Sequence, residues 1–259
     1  MTDVTAFSTP RLTGRRALVT GSTSGIGRSI ALALAGEGAA VVVSGRNTDA
    51  GTAVVEEVRS AGGAAHFVHA DLSGGGPATI ELAKAACEAV GGPIDLLVNN
   101  AAVLVPAQSL TEADERIIDA ALSVNVKAPA LLVAAFVPAM VEAGGGVIVN
   151  IGSISGAVGS PVSALYGATK AALHSLTASW AAELASKGIR VNAVAPGPTM
   201  TDENAAFHDM LRSLTVSTPE GRPGTSAEVA DAVVFLASEQ ATHIHGVTLP
   251  VDGGYLAAR

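Results

Sequence analysis

The chain has 259 residues, of which 49% are hydrophobic, 3% are aromatic and 29 are glycine. Its formal net charge is −8 and it has no run of lysine or arginine, which argues against a nucleic-acid or anionic-membrane partner. Cys87 is the only cysteine, so no intramolecular disulfide can form, and no cluster of cysteine and histidine has the spacing of a metal site.

The N-terminus lacks the features of a signal peptide. The longest apolar run, Ala128 to Val141, has 14 residues, fewer than the roughly 20 of a membrane span. We therefore expect a soluble cytoplasmic protein without a metal.

Short β-branched runs alternate with longer stretches of helical periodicity along the chain. This alternation is typical of repeated βαβ units, and it predicts an α/β fold with a parallel sheet covered by helices on both faces. Most of the runs are apolar without alternation, as expected of strands that are buried on both faces. Seven strands are predicted, at Arg16–Thr20, Ala40–Ser44, Ala65–His69, Ile94–Asn99, Gly146–Ile151, Ile189–Val194 and Val247–Val251.

The intervals between the predicted strands are helical, and one long helix is predicted from Thr111 to Glu142. Thr111 with Asp114 forms a variant of the capping box at its start. The interval 198–225 breaks the alternation, and we interpret it as an insertion in a single domain that covers residues 12–259, after a short polar tail at 1–11. Four apolar residues in the insertion have the i, i+3, i+4, i+7 spacing of an amphipathic helix: Phe207, Met210, Leu211 and Leu214. This helix is either a mobile lid or a helix packed on the body of the protein.

A glycine-rich segment, Thr20 to Gly27, lies between the first predicted strand and the first helix. Such a turn allows backbone N–H groups to approach a pyrophosphate, which a helix N-terminus also stabilises. After the second strand, where an acidic residue would bind the ribose 2′-hydroxyl of NAD, the chain has Arg46 and no carboxylate. An arginine suits a 2′-phosphate, so the sequence favours NADP(H) over NAD(H). The alternative is a solvated arginine in a loop.

Tyr166 and Lys170 are four positions apart in the sequence, so their side chains share one face of a helix. A nearby cation favours phenolate over phenol, which would lower the pKa of Tyr166 and make the pair a candidate acid/base. The alternative is an amphipathic helix with a solvated lysine. Ser153 follows a central predicted strand, at the carboxyl edge of the sheet where open α/β sheets bind ligands.

In this order and spacing the chain resembles the short-chain dehydrogenase/reductase family, and its pattern is closest to the 3-oxoacyl-carrier-protein reductase-like branch. The resemblance covers nearly the whole chain and implies a single doubly wound Rossmann-type domain. The motifs that carry it are Thr20-Gly21-x-x-x-Gly25-x-Gly27, Asp71-Leu72, Asn99-Asn100-Ala101, Asn125, Ser153, Tyr166-x-x-x-Lys170 and Pro196-Gly197.

The resemblance implies a catalytic set of Asn125, Ser153, Tyr166 and Lys170. Tyr166 would be the general acid/base, Ser153 would bind the substrate oxygen, and Lys170 would lower the pKa of Tyr166 and bind the nicotinamide ribose. Asn125 would hold a water connected to Lys170. Pro129, four residues after Asn125, has no N–H to donate to the Asn125 carbonyl, which favours the water site. An ordinary proline kink is the alternative.

The resemblance also implies cofactor contacts along the carboxyl edge of the sheet. Ala102 stands where the family usually has glycine, and Thr199 stands where it commonly has an aliphatic residue, so we expect an altered cofactor fit and retained activity. The implied cofactor contacts are Gly21, Ser24, Gly25, Ile26, Gly27, Arg46, Asp71, Leu72, Asn99, Ala101, Tyr166, Lys170, Pro196, Gly197, Thr199 and Thr201.

The substrate is expected to be a neutral, fairly apolar ketone or secondary alcohol that contacts Ser153, Tyr166 and Val105. Apolar residues predicted for the pocket wall are Leu104, Val105, Val158, Val162 and Leu165. A β-ketoacyl thioester on a carrier protein is the alternative substrate, although an acidic carrier would need a basic docking patch. A catalytically inactive, dinucleotide-binding regulatory protein is an alternative of another class. The wide apolar faces of the fourth and fifth helices, together with the resemblance, predict a homotetramer.

Overall fold

The computed structural model describes residues 10–105, 109–160 and 163–258. The strands are β1 (Arg16–Thr20), β2 (Ala40–Gly45), β3 (Ala64–His69), β4 (Leu96–Asn99), β5 (Gly146–Ile151), β6 (Ile189–Pro196), β7 (Thr199–Met200), β8 (Gly224–Thr225) and β9 (Thr248–Val251). The seven predicted strands form one parallel sheet, as expected, and each strand end lies within two residues of its predicted position. The order in this sheet is β3-β2-β1-β4-β5-β6-β9, and it reverses between β1 and β4, which creates a crevice at the carboxyl edge of the sheet.

Helices cover both faces of this sheet. Along β1, Ala17 and Val19 belong to one apolar core whereas Leu18 belongs to the other, because successive side chains of a strand point to opposite faces. The helices are α1 (Gly25–Gly36), α2 (Thr48–Ser60), α3 (Gly75–Ala89), α4 (Glu115–Leu122), α5 (Ala128–Glu142), α6 (Ala164–Leu184), α7 (His208–Thr215) and α8 (Ser226–Ala237). The first core is completed by α1, α2 and α8, and the second by α3, α5 and α6.

The long helix predicted from Thr111 to Glu142 is wrong in its first part. A 3-10 turn covers Leu110–Glu112, and its capping box is formed by Ser109 and Glu112 instead of Thr111 and Asp114. Asp114 caps the separate helix α4 by accepting a hydrogen bond from the backbone N–H of Arg116. Extended backbone at Ala113 and Asp114 separates the two segments, so the helix begins at Glu115 and not at the predicted Thr111.

A π-helical segment, Ser123–Lys127, joins α4 to α5, so helical structure continues from Glu115 to Glu142. By length and composition alone, this stretch of 28 residues is long and apolar enough to cross a membrane. The mean hydropathy of its most apolar window is 1.8. Of that window, 44% is buried inside the protein. Leu132, Phe136 and Met140 lie in the second core, so packing of the helix on the sheet accounts for much of its apolar character.

The insertion at 198–225 is bracketed by β7 and β8, which pair in parallel as a second, two-stranded sheet that the sequence did not predict. Between them lie a 3-10 segment, Asp202–Phe207, and the short helix α7, close to the predicted position. Phe207, Met210 and Leu214 are about half exposed, at 57%, 51% and 49%. Three of the four apolar residues of this amphipathic segment are therefore largely exposed, whereas Leu211 is partly buried.

Candidate active site

Two glycines in the turn between β1 and α1 have backbone conformations that other residues rarely adopt. The φ angle is +61° at Gly21 and +53° at Gly25. Gly27 is required for a different reason, because a Cβ there would lie 2.2 Å from the Gly21 carbonyl oxygen and 2.4 Å from the Asn100 amide nitrogen. The three glycines identified in the sequence are therefore all needed for this tight turn.

The side chains of Thr20 and Asn100 connect the glycine turn to the end of β4. The Asn100 side-chain amide donates to the carbonyl oxygens of Thr20 (2.8 Å) and Gly21 (2.9 Å). In return, the Thr20 hydroxyl accepts the backbone N–H groups of Asn100 and Ala101, both at 3.0 Å. This reciprocal set fixes the turn against the segment after β4, and places Ala101 beside Gly21.

The N-terminus of α1 opens onto a cleft suited to an anion. Ser24 is the N-cap residue, but its side chain makes no capping hydrogen bond, and the first turn of α1 contains no acidic residue. The backbone N–H groups of this turn, which includes Ile26, are therefore available to a phosphate. The cleft has a volume of about 700 Å³ and is lined by Thr23, Ser24, Arg46, Asn47, Thr48, Asp49 and Glu203.

These donors line a cradle beside Gly25 that fits a phosphate-bearing nucleotide. Arg46 lies in the same cleft, as the sequence predicted. Glu203 is an unpredicted acidic neighbour, since its Oε2 lies 2.8 Å from the position of a Cβ at Gly25. A carboxylate at this place repels a phosphate, so the exposed Glu203 side chain has to turn aside when an anion occupies the cradle.

Asp71 and Leu72 follow β3 and are two of the cofactor contacts that the resemblance implies. One carboxylate oxygen of Asp71 accepts the backbone N–H and the hydroxyl of Ser73, which caps a 3-10 turn. These hydrogen bonds, and more weakly the charges of Arg46 and His69, hold the pKa of Asp71 below its usual range. The Leu72 side chain is buried in the second core. Asp71 is therefore fixed as a carboxylate, whereas the side chain of Leu72 serves packing.

Asn99 lies at the carboxyl end of β4 and is buried. Its amide nitrogen donates to Asn150 on β5 at 2.9 Å, and Asn150 in turn donates to Thr177 on α6 at 2.8 Å. The Oδ1 of Asn99 is buried without a hydrogen-bond partner among the described residues. The Asn99 side chain therefore links the two strands β4 and β5.

The segment after β6 brings four predicted cofactor contacts to the same edge of the sheet. Pro196 ends β6, and the Gly197 N–H donates to the Val251 carbonyl at 2.9 Å. Thr199 is buried in β7, and its hydroxyl donates to the Gly197 carbonyl at 2.9 Å. The Thr201 backbone N–H donates to Asn204 at 2.9 Å. Thr199 therefore stabilises its own turn, a role that an aliphatic residue could not fulfil.

Lys170 is almost completely buried, with 2% of its surface exposed. Its ammonium donates a hydrogen bond of 2.7 Å to the Ile151 carbonyl at the end of β5, and lies 5.6 Å from the centre of the Tyr166 ring. Burial lowers the pKa of Lys170 from 10.5 to about 8. The group is thus charged at neutral pH, but close to the point at which it loses its proton.

Tyr166 differs from the sequence-based expectation in its acidity. Burial raises the pKa of the phenol above its usual value, and the hydrogen bond with Ser153 opposes this effect without cancelling it. The predicted lowering of the pKa by Lys170 is therefore wrong for this arrangement, in which the ammonium is directed to the Ile151 carbonyl. At neutral pH the phenol carries its proton and can donate it.

Ser153 lies in the segment between β5 and α6, in extended conformation, and is 9% exposed. Its hydroxyl oxygen accepts the Ser155 N–H at 3.1 Å. The hydroxyl proton therefore remains available to the Tyr166 phenol or to a ligand. Three of the predicted catalytic residues, Ser153, Tyr166 and Lys170, are thus brought together.

Asn125 lies in the π-helical segment, 1% exposed. Its side chain accepts the Val103 N–H at 2.7 Å and donates to the Val103 carbonyl and to the Thr169 hydroxyl, both at 3.1 Å. The Ala128 N–H donates to Ser123 instead of Val124, and Pro129 has no N–H, so the Asn125 carbonyl lacks its α-helical donor. The water site predicted at this carbonyl stays a prediction, and the side chain joins the segment after β4 to α6.

Comparison with known proteins is consistent with this geometry. A family model described as enoyl-(acyl carrier protein) reductase matches residues 21–256, which is most of the chain. The chain belongs to the short-chain dehydrogenase/reductase family. As a short-chain dehydrogenase/reductase it is an NAD(P)-dependent oxidoreductase that acts on small molecules.

Two relatives and one solved structure illustrate the range of this family. The chain is 39% identical over 244 residues to a 3-oxoacyl-[acyl-carrier-protein] reductase of Staphylococcus epidermidis (93% and 98% of the two chains). It is 37% identical over 246 residues to a 2,5-dichloro-2,5-cyclohexadiene-1,4-diol dehydrogenase of Sphingobium indicum (95% and 97%). A 3-oxoacyl (acyl-carrier-protein) reductase of Agrobacterium tumefaciens with NADP bound has a TM-score of 0.89, with 35% identity and coverage of 95% and 96%.

The residues predicted for the pocket wall differ in their exposure. Val105 is half-buried, and Leu104 is 77% exposed. Val162, predicted for the pocket wall, lies outside the described residues. Among the described residues, no group of three or more histidine, cysteine, aspartate or glutamate side chains could hold a metal ion.

Some residues of the site were missed by sequence reasoning. Asn100 is part of a recognised motif, but its role as the tie between β4 and the glycine turn appears only in three dimensions. Thr169 next to Lys170 holds Asn125, and His174 accepts the Ser153 N–H. Thr169 and His174 both lie on α6, with Tyr166, so a survey of all polar residues on this helix could have found them.

Proposed function

We propose that this chain is an NADP(H)-dependent reductase of neutral, fairly apolar ketones, which also oxidises the corresponding secondary alcohols. The observation that carries the proposal is the arrangement of Ser153, Tyr166 and Lys170: a protonated phenol with a serine hydroxyl as partner and a buried ammonium 5.6 Å from its ring. This arrangement supports proton transfer to one oxygen atom of a ligand next to β5.

In the proposed mechanism, the Tyr166 phenol donates its proton to the carbonyl oxygen of the substrate. The Ser153 hydroxyl donates a hydrogen bond to the same oxygen, which stabilises the negative charge that develops there. A nicotinamide cofactor held in the cleft beside the glycine turn would supply or accept the hydride. The raised pKa of Tyr166 keeps the phenol protonated at neutral pH, which is the form that the reduction requires.

Lys170 is proposed to act in two ways. Its positive charge stabilises the phenolate that Tyr166 becomes after donating its proton. Its ammonium has three donors, of which the Ile151 carbonyl accepts one, so the others are available to a ribose hydroxyl. Asn125 is proposed to hold, through its backbone carbonyl, a water that returns a proton to the pair.

The preference for NADP(H) is proposed on the position of Arg46 in the cleft beside the glycine turn. The lining residues of this cleft that carry hydroxyl or amide groups, such as Thr23 and Asn47, can also bind a phosphate. We expect the substitution Arg46→Asp to shift kcat/KM from NADP(H) towards NAD(H). Initial rates with both cofactors test this, and an unchanged ratio would contradict the role of Arg46.

A β-ketoacyl thioester is the second candidate substrate, favoured by the similarity to 3-oxoacyl-carrier-protein reductases. An acidic carrier protein needs unpaired cations for docking. Arg116 is paired with Asp114 and Arg212 with Asp209, on the segments before and after the site. Arg222 is paired with Glu220 and Glu228. These pairs favour a free ketone over a carrier-bound one.

A substrate panel followed by the absorbance of NADPH separates these functions. The panel contains cyclic and linear ketones, a free β-ketoacyl thioester, and the same acyl group on an acyl carrier protein. We expect the highest kcat/KM with a neutral ketone. A preference for the carrier-bound acyl group would support the second candidate. Tight NADPH binding without turnover of any substrate would contradict both and indicate a regulatory protein.

A further inference from the structure

His174 contacts the segment that carries Ser153, from the helix that carries Tyr166 and Lys170. It lies on α6, one turn after Lys170, and is half-buried. The backbone N–H of Ser153 donates to Nε2 of His174 at 3.4 Å. His174 is therefore in direct contact with the residue proposed to bind the substrate oxygen.

The ring of His174 fills the space left by two glycines on either side of Ser153. A Cβ at Gly152 would lie 2.2 Å from Nε2 of His174, and a Cβ at Gly156 would lie 2.7 Å from Cε1. Both distances are too short for non-bonded atoms. The segment from Gly152 to Gly156 therefore follows the surface of the imidazole ring, and side chains at either glycine would force it away from α6.

The same segment also packs directly on the backbone of α6. A Cβ at Gly156 would lie 2.8 Å from the Ala171 nitrogen, and a Cβ at Gly167 would lie 2.7 Å from the Ser155 carbonyl oxygen. On its other side, the Gly152 N–H donates to the Val194 carbonyl on β6 at 2.7 Å. The position of Ser153 relative to Tyr166 is thus set by contacts with α6, among which His174 provides the hydrogen-bond acceptor.

The hydrogen bond that Nε2 accepts determines the protonation state of the His174 ring. A nitrogen that accepts a hydrogen bond carries no proton, so His174 is neutral with its proton on Nδ1. Burial, and secondly the positive charge of Lys170, lower the pKa of His174 below its usual value. Lys170 is the charged group that acts on the ring from its own helix, and the segment Gly152–Gly156 packed against it contains no titratable group.

We propose that neutral His174 is a positioning residue for Ser153, which sets the distance of the serine hydroxyl from the Tyr166 phenol. This rests on the proposed roles of Ser153 and Tyr166. Protonation of His174 replaces the acceptor by a second N–H donor facing the Ser153 N–H, and adds a cation beside Lys170. Ser153 then moves away from Tyr166, and the proton transfer slows.

The pH dependence of ketone reduction distinguishes this role from simple packing. In ketone reduction Tyr166 acts in its protonated form and Lys170 in its charged form, so these two residues cause no loss of rate at low pH. The pKa of His174 in the folded protein lies below the ordinary histidine value of about 6.5. We therefore expect kcat to fall when the pH is lowered below about 6.5 and His174 gains its second proton. Initial rates between about pH 5 and 8, corrected for the breakdown of NADPH, measure this fall.

Two substitutions at position 174 provide the test. Glutamine can accept the Ser153 N–H but does not titrate, so His174→Gln is expected to retain kcat within about twofold at pH 7.5 and to lose the fall at low pH. Leucine fills similar space without an acceptor, so His174→Leu is expected to lower kcat about tenfold with an unchanged Kd for NADPH. The exposed His243 provides a matched control, since His243→Leu should leave both quantities unchanged.

The outcomes separate this inference from the proposed function. If Tyr166→Phe abolishes turnover but His174→Gln keeps the fall of kcat at low pH, or folded His174→Leu keeps the full kcat, the role of His174 is refuted and the proposed function stands. If Tyr166→Phe retains turnover, the proposed function itself fails. Should His174→Leu fail to fold, the pH profile of His174→Gln decides.

Discussion

Lys170 carries a positive charge that its buried position disfavours. Its pKa is lowered from 10.5 to about 8, so the folded protein releases this proton at a lower pH than the unfolded chain. Above about pH 8 the ammonium becomes a neutral amine, which no longer stabilises the Tyr166 phenolate. We expect kcat/KM for ketone reduction to fall above about pH 8. A profile that stays level to pH 10 would contradict the role of the charge.

The same lowered pKa predicts a gain of stability when Lys170 is replaced by methionine. A lowering of the pKa from 10.5 to about 8 corresponds to a destabilisation of the folded protein by about 3 kcal/mol. The substitution removes this destabilisation, but it also removes the hydrogen bond to the Ile151 carbonyl, which reduces the gain. We expect Lys170→Met to be inactive but more stable by about 1–3 kcal/mol at pH 7, measured by urea unfolding. The exposed Lys187 provides the control, because Lys187→Met should change neither activity nor stability.

The sign of the pH dependence provides a second check on this substitution. The wild-type lysine costs stability fully below pH 8, and this cost disappears as the pH rises from about 8 towards 10.5. The difference in unfolding free energy between Lys170→Met and the wild type should therefore shrink over this range. A difference that is constant with pH would show that the buried charge is not its cause.

At the scale of elements, the turn between β1 and α1 depends on Gly27. A methyl group there would overlap the Gly21 carbonyl and the Asn100 amide. We expect Gly27→Ala to weaken NADPH binding at least tenfold and to destabilise the fold by about 2–3 kcal/mol. Isothermal titration and urea unfolding measure the two effects.

Gly36, in the last turn of the same helix, provides the matched control for Gly27. A Cβ at Gly36 would meet nothing within 4 Å. Gly36→Ala should therefore stabilise the protein by about 0.5–1 kcal/mol and leave NADPH binding unchanged. Equal effects of the two substitutions would contradict the account of the glycine turn.

Sequence patterns predicted the elements that local signals define, such as the strands with continuous apolar runs. The apolar run Val41–Val43 is fully buried in β2, and the seven predicted strands all lie in one sheet. The start of α4 was wrong because two capping signals, at Ser109 and Asp114, lie only five residues apart and the chain uses both. The π-helical segment contains Asn125, whose side chain accepts the Val103 N–H in a contact between distant residues that no local pattern contains.

The candidate site was predicted as far as motifs define it. Ser153, Tyr166 and Lys170 meet as expected, but the acidity of Tyr166 depends on burial, which a spacing of four residues cannot give. His174 and Asn100 act through contacts between distant segments, at 3.4 Å to Ser153 and 2.8 Å to the Thr20 carbonyl. These contacts arise only when the sheet brings β1, β4 and β5 together.

At the scale of the whole molecule, the continuous helix from Glu115 to Glu142 has more apolar surface than one protomer buries. Leu122 and Val141 remain 45% and 40% exposed. We propose that this surface belongs to a subunit interface in a homotetramer. Light scattering after gel filtration should give about four times the 25.6 kDa mass of the chain.

A charged residue within this helix tests the proposed interface. We expect Val141→Arg to lower the mass to that of a dimer or monomer, because it places a charge in an apolar contact. Ile80 on α3 is 61% exposed and provides the control, since Ile80→Arg should leave the mass unchanged. A wild-type protein that elutes as a monomer would contradict the proposal directly.

The central claim is that the Tyr166 phenol donates the proton to the substrate. Its most direct test is the rate of NADPH oxidation with the best ketone of the panel, compared between the wild type and Tyr166→Phe. Phenylalanine keeps the ring and removes only the hydroxyl, so we predict that kcat falls at least about a thousandfold while the Kd for NADPH is unchanged. A Tyr166→Phe variant that retains a kcat within about tenfold of the wild type would contradict the account.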